Sequence, residues 1–230
     1  RGTRGRPLLW AGSAAAVAVA AVVVVLLVLQ GGSGPAGVVP GSLITTFLPG
    51  EIQKVPGACA SIPAATLGAY LPGKRSVAAP PALDGALDSQ CDWIVDHPPT
   101  YRLLRLDIQA YAPNGLASGD GSATFAAIDA YDQALQQKEH PAASSGAPRA
   151  QVTTVGGLGS AAFTAAQVYQ VGGAVTDRAT TVVRYRNVVI TVVLDGLDRS
   201  NRGNYGPVSM SDLSAGSLAA ARAAFAKVKG

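Results

Sequence analysis

Four groups of residues in this chain have types and spacings that could do chemistry. Gly157-Leu158-Gly159-Ser160-Ala161-Ala162 fits the loose dinucleotide pattern G-x-G-x-x-A, and Asp177 follows about 20 residues after its start. A working site of that kind needs a strand that turns sharply into a helix, so that backbone N–H groups meet a pyrophosphate. Here the following segment, FTAAQVYQVGG, reads as strand, so a structural turn with close backbone approach is the favoured reading. Asp96-His97 could serve as an acid–base pair, but adjacent strand residues point to opposite faces and no G-x-S-x-G elbow supplies a nucleophile. Asp107 and Arg105, on the outward face of one expected strand, read as an ordinary surface ion pair.

The fourth group is cationic. Arg184 and Arg186 are expected on one strand face, with Arg199, Arg202 and Tyr205 in the loop that follows. Guanidinium forks match carboxylates and phosphates, so these five are the candidate ligand-binding residues for an anion or a glycan. A solvated charged face is the plainer account of them. No catalytic set emerges. Cys59, Cys91, His97 and His140 stand at unrelated spacings and suggest no metal site, and no cofactor is expected.

What positions these groups starts with the uncharged run from Leu8 to Leu29. As a helix it would be about 33 Å long, matching a hydrocarbon core of roughly 30 Å. Arg1, Arg4 and Arg6 precede it, and the first charge after it is Glu51. The positive-inside rule then puts the N-terminus in the cytoplasm and everything beyond about residue 30 outside, with the lipid bilayer of the plasma membrane as the first partner. A cleaved signal peptide is the competing reading. Its apolar region is usually about 7–15 residues, and a cut at the Ala-x-Ala patterns inside this run would leave VVVVLLVL on the mature end. The chain starts on Arg1, so a cytoplasmic domain could precede it.

The formal charge of +4 suggests nucleic acid at first sight. Three of the 18 basic residues precede the apolar run, while all 14 acidic residues lie beyond residue 50. The outer part is therefore close to neutral, with no basic block to follow a phosphate backbone. Arginine outnumbers lysine 13 to 5 and Ala, Gly and Val are abundant, as in proteins of high-GC bacteria. Outside the membrane, an even cysteine count favours a Cys59–Cys91 disulfide over two buried thiols.

The chain divides into a basic stub (residues 1–7), an anchor (8–29), a Gly/Pro-rich tether (30–50) and an outer domain (51–230). In the tether, Leu43, Ile44, Phe47 and Leu48 could dock on the domain edge. In the domain, residues 61–71 predict a short helix with Ser61 as cap, and residues 74–90 predict a loop. Strands follow at 91–96 and at 101–111, where Leu104, Leu106, Ile108 and Ala110 share a face. Residues 123–138 predict a helix with Phe125, Ile128, Tyr131, Asp132 and Leu135 on one side. After a loop at 140–150 come strands at 152–155 and 160–171, then a hairpin of 180–185 and 188–194 around Arg186-Asn187. Residues 188–194 are apolar on both faces and predict a central strand covered on both sides. Residues 196–209 predict a polar loop, and 211–229 a last helix facing inward with Leu218, Ala221, Phe225 and Val228. The fold class is α+β.

Cys59, the tripeptide Cys91-Asp92-Trp93 and the segment VGGLGSAAF at 155–163 resemble a family of actinobacterial envelope proteins, many of them lipoproteins, that carry a domain of unknown function. The resemblance covers residues 55–228. It implies a disulfide between the two Cys-bearing segments and a curved antiparallel sheet flanked by helices, similar to the PsbP/Mog1 type and to extracellular sensor domains of receptor kinases. This chain departs from the lipoprotein form in having no lipobox cysteine, so its anchor would be the helix itself. The resemblance supplies no catalytic residues. It implies an extracytoplasmic domain that binds an envelope ligand or a membrane protein partner without catalysis, with an envelope hydrolase or an assembly factor of a membrane complex as the rival readings.

Overall fold

Alternation with period two dictates most of this domain. In the computed structural model, which describes residues 44–71, 75–78, 86–97, 99–114, 121–141, 149–171, 174–199 and 205–230, strand β3 (Thr100–Ala110) buries Leu104, Leu106, Ile108 and Ala110. Its intervening residues Arg105 and Gln109 are exposed. Neighbouring strands repeat the pattern, and among the described residues eight strands form one antiparallel sheet. They are β1 (Arg75–Ala78), β2 (Asp88–His97), β3, β4 (Gln151–Thr154), β5 (Ala161–Val171), β6 (Ala174–Tyr185), β7 (Val188–Arg199) and β8 (Tyr205–Pro207). Their order across the sheet is β1-β2-β3-β7-β6-β5-β4, and β8 pairs with β7 beyond the point where β6 stops. The fold class is α+β, as the sequence predicts. The expected anchor at 8–29 lies outside the described residues. Among those described, no helix is long and apolar enough to cross a membrane.

One face of the sheet is fully packed. It joins Cys91, Trp93 and Val95 of β2 to Leu104, Leu106 and Ile108 of β3 and to Val188, Ile190, Val192 and Leu194 of β7, all buried. Each such side chain contributes about 1.5–3 kcal/mol relative to exposure. Three elements cover this face: a 3-10 turn at Ala58–Ala60, helix α1 (Ala64–Tyr70) and the last helix, α3 (Met210–Lys229). Helix α3 sits close because Gly216 faces β7 and α1. A Cβ there would come within 2.7 Å of Leu194 and 2.8 Å of Tyr70. Ser209 caps α3 by accepting the Asp212 N–H, and Lys227 and Lys229 occupy its negative end. The disulfide Cys59–Cys91, with Cα atoms 5.1 Å apart, ties the 3-10 turn to β2.

The other face carries a smaller apolar cluster under α2 (Ala123–Glu139), formed by Ala127, Tyr131, Phe163, Ala165, Val182 and Val189. Ser122 caps α2 through the Phe125 N–H. The helix buries Ala123, Ala127 and Tyr131, whereas Phe125, Ile128 and Leu135 are only half-buried and Asp132 is exposed. The expected stripe is therefore rotated. Small residues face the sheet because α2 lies close to it, and the larger apolar side chains take the flanks. Because α2 covers only part of this face, β7 is packed fully on one side and partly on the other.

Several expectations are corrected. Ser61 does not cap α1; its hydroxyl donates to the Gly57 carbonyl and closes the 3-10 turn, leaving Pro63 at the N-cap position. Residues 75–78, expected in a loop, add strand β1 beside β2. The polar loop expected from 196 is partly sheet, because β7 runs on to Arg199 and Tyr205–Pro207 pair with it. Of the tether, Leu43 lies outside the described residues, Ile44 and Phe47 are half-buried and Leu48 is 41 % exposed. Hydrogen-bonded contact at the domain edge is made by Glu51 and Ile52. Glu51 accepts from Thr124 of α2, and Ile52 is held by the buried Asn187 side chain through both its N–H and its carbonyl.

Candidate functional site

The residues that sheet packing does not explain lie on the α2 face, over β2, β3, β7 and β6. Antiparallel register sets Asp92 opposite Arg105 and Arg178 opposite Asp195. Both pairs are bidentate. Arg105 donates from Nε and Nη2 to the two carboxylate oxygens of Asp92 at 2.9 and 2.7 Å, and Arg178 does the same to Asp195 at 2.6 and 2.8 Å. Asp195 is 4 % exposed, while the Arg178 side chain keeps 32 %. From the end of α2, Lys138 reaches over the same region and donates to Gln167 of β5 at 3.3 Å. The charges therefore alternate across four strands, and the helix adds a second cation beside Arg178.

Their electrostatics follow from that placement. Hydrogen bonds from Arg105 hold the Asp92 carboxyl below the usual range, against the opposing effect of burial. Burial pushes the Lys138 amine down, Arg178 adds to the shift, and Asp195 opposes it. Burial pushes Asp107 up, helped by Asp88 and opposed by Arg105. Tyr101, next along β3 from this row, is raised by burial and by the charges of Asp195 and Asp96. The result is a mixed-charge shelf beside a helix, half in water. Charged groups held this way can match a polar or zwitterionic partner at little cost in side-chain freedom. Among the described residues no group of three or more His, Cys, Asp or Glu is placed to hold a metal ion.

A second concavity, of about 470 Å³, opens on the packed face between β4, β5 and the first turns of α3. Thr153, Thr164, Ser211, Ser214 and Leu218 are among its lining residues, and the described lining residues carry no charge. It suits an uncharged occupant and has no reactive group.

The five candidate ligand-binding residues do not converge. Arg184 lies on β6 facing α2, its guanidinium carbon 6.0 Å from the centroid of the Tyr131 ring. Arg186 does not share that strand face. It occupies the β6–β7 turn with φ 55°, donates to the Gly50 carbonyl at 2.8 Å and lies over Tyr185. Arg199 ends β7 and pairs with Tyr205 of β8, while Arg202 lies outside the described residues. At about 3.3 Å per residue the ends of β7 are roughly 36 Å apart, so the turn arginines and Arg199 cannot line one pocket.

The remaining motifs resolve more simply. Gly157 and Gly159 have φ of 72° and 66° and lead straight into β5, and a Cβ at Gly159 would overlap the Arg184 carbonyl oxygen. The G-x-G-x-x-A match is thus a turn under close backbone approach, with no helix N-terminus behind it. Arg105 pairs across the strands with Asp92 in place of Asp107. Asp96 and His97 are consecutive on β2. No family model, no curated protein and no solved structure matches this chain.

Sequence reasoning missed Asp92, Arg178, Asp195 and Lys138. Asp92 was open to discovery, since it and Arg105 both fall on outward positions of expected strands. Arg178 and Asp195 were not, because each lies just beyond the end of its expected strand, where register cannot be assigned.

Proposed function

We propose that this chain is a non-catalytic binding domain of a bacterial cell envelope, anchored through Leu8 to Leu29 and facing outward, with the α2 face as its binding surface. One observation carries the reading: Asp195, nearly fully buried, and Arg178 form a bidentate pair on a sheet face that a helix covers only in part. A sheet face built only for stability would place apolar residues there, because replacing a buried ion pair by apolar groups is often neutral or stabilising. The basic residues before the apolar run, the disulfide and the Gly-rich tether support an extracytoplasmic setting, and the resemblance to actinobacterial envelope proteins agrees with it.

Native mass spectrometry of the detergent-extracted chain from its own host tests the proposal. A small molecule or lipid retained by the wild type and lost from an Arg105→Glu variant is the expected result. Stoichiometric protein partners insensitive to that substitution would replace binding by assembly. A bare chain under all conditions would remove the α2 face from consideration.

A further inference from the structure

Arg184 differs from Arg102, Arg105, Arg178 and Arg186 in how its donors are spent. Arg105 and Arg178 each hold a carboxylate with two nitrogens, while Arg102 and Arg186 donate to backbone carbonyls. Arg184 has no hydrogen-bond acceptor among the described residues, and its Nε is buried without one. A buried donor left unmet is destabilising, because it has lost its water and gained no partner. Its position in the sheet, between Ala161 of β5 and Val189 of β7, offers no acceptor from the neighbouring side chains.

The group beside it is also prepared. Tyr131 is 7 % exposed and is held edge to face by Phe163, with ring centroids 5.4 Å apart. That contact fixes the ring on which the guanidinium rests. The Tyr131 hydroxyl likewise has no partner among the described residues, and the Arg184 charge opposes the upward push that burial exerts on the phenol. A rigid phenol donor and a guanidinium thus lie side by side with hydrogen bonds to give. Asp132, exposed beside Tyr131, is an acidic neighbour whose charge reaches the phenol.

We infer that Arg184 and Tyr131 form an anion-binding subsite for a carboxylate or phosphate group, at the end of the α2 face away from Asp195. The inference rests on the α2 face being the binding surface and names the chemistry of one end of its ligand. A planar guanidinium end and a phenol hydroxyl together match two oxygens of such a group.

The test uses the full chain in detergent at low ionic strength, titrated by calorimetry with inorganic phosphate in one arm and acetate in the other. Sodium chloride at matched ionic strength is the reference. Saturable binding above the chloride reference is expected in at least one arm, and the stronger arm identifies the group. Arg184→Gln should weaken it roughly ten- to hundredfold, the scale of charged hydrogen bonds. Tyr131→Phe keeps the packing on Phe163 and should weaken it roughly threefold or more, whereas Asp132→Asn should tighten it. Neither anion exceeding chloride would overturn the inference, as would an Arg184→Gln variant with wild-type affinity. If Arg105→Glu still abolishes retention of a host molecule while both anions fail, only the subsite falls. If Arg105→Glu has no effect and the anions bind through Arg184, the shelf reading falls and the subsite stands.

Discussion

The two faces of the sheet use the same strands for different ends. Along β7, Val188, Ile190, Val192 and Leu194 enter the continuous core under α3, while Asp195, one residue further, enters an ion pair with Arg178 on the other side. Along β2, Cys91 and Trp93 are buried and Asp92 between them pairs with Arg105. The packed face is closed by two helices, a 3-10 turn and a disulfide; among the described residues the other has α2 alone, against β4, β6 and β7. Stability is thus concentrated on one side of the sheet, leaving the opposite side free to carry groups that stability does not require.

This contrast can be broken at several points. Trp93→Ala, on the packed face, should cost about 3–5 kcal/mol and read out as a large fall in the midpoint of urea unfolding. Replacing both Cys59 and Cys91 by Ala should cost about 3–4 kcal/mol in the chain-entropy account of a ring of this length. Removing only one cysteine would be less clean, since it leaves the other as a free thiol. On the other face, Asp195→Asn should cost about 1–2 kcal/mol, less than a fully buried pair because Arg178 reaches water. Arg105→Ala should cost under about 1 kcal/mol, being an exposed pair. If Arg105→Ala rivals Trp93→Ala, the division of labour between the faces is wrong.

The smallest effect should have the opposite sign. Burial and Asp88 raise the folded-state pKa of Asp107, so the native state holds its proton more tightly than the unfolded chain does. Stability from this group is therefore present in acid and lost as pH rises through the window between the unfolded and the raised folded value. Asp107→Asn should accordingly stabilise at neutral pH, by a few tenths of a kcal/mol, and lose that advantage below the ordinary carboxylate range. Asp92 behaves conversely. Its lowered pKa contributes stability above its unfolded value that is lost as pH falls toward the folded one. Unfolding curves of Asp92→Asn and Asp107→Asn against pH should therefore diverge from wild type in opposite directions.

Much of the packed face was legible from local pattern. The alternation of Leu104, Leu106 and Ile108, the turn at Arg186-Asn187 and the helix ending at Lys229 are all encoded within a few residues of themselves. The other face was less so, because its pairs join residues far apart in the chain. Arg105 and Asp92 are 13 positions apart, and Arg178 and Asp195 are 17. The latter pair needs strands longer than hydrophobicity alone suggests; the polar residues that extend β6 and β7 have weak strand preference and hold their place through register with β3 and β5. The α2 stripe was misread because periodicity finds large apolar residues, whereas close helix–sheet approach selects alanine. The five arginine and tyrosine candidates were grouped by closeness in sequence, and a long antiparallel hairpin is the geometry that separates such neighbours.

The Cys59–Cys91 bond has a further consequence when the molecule meets a protease. Thirty-two positions separate its ends, and β1 lies within the loop they close. A protease that cuts once anywhere inside that loop opens the polypeptide without releasing a fragment. Everything before Cys59 stays covalently joined to the sheet through β2. Such a nick would be invisible on a non-reducing gel and would separate into two bands on reduction, so a clipped molecule could remain tethered and folded wherever its thiols stay oxidised.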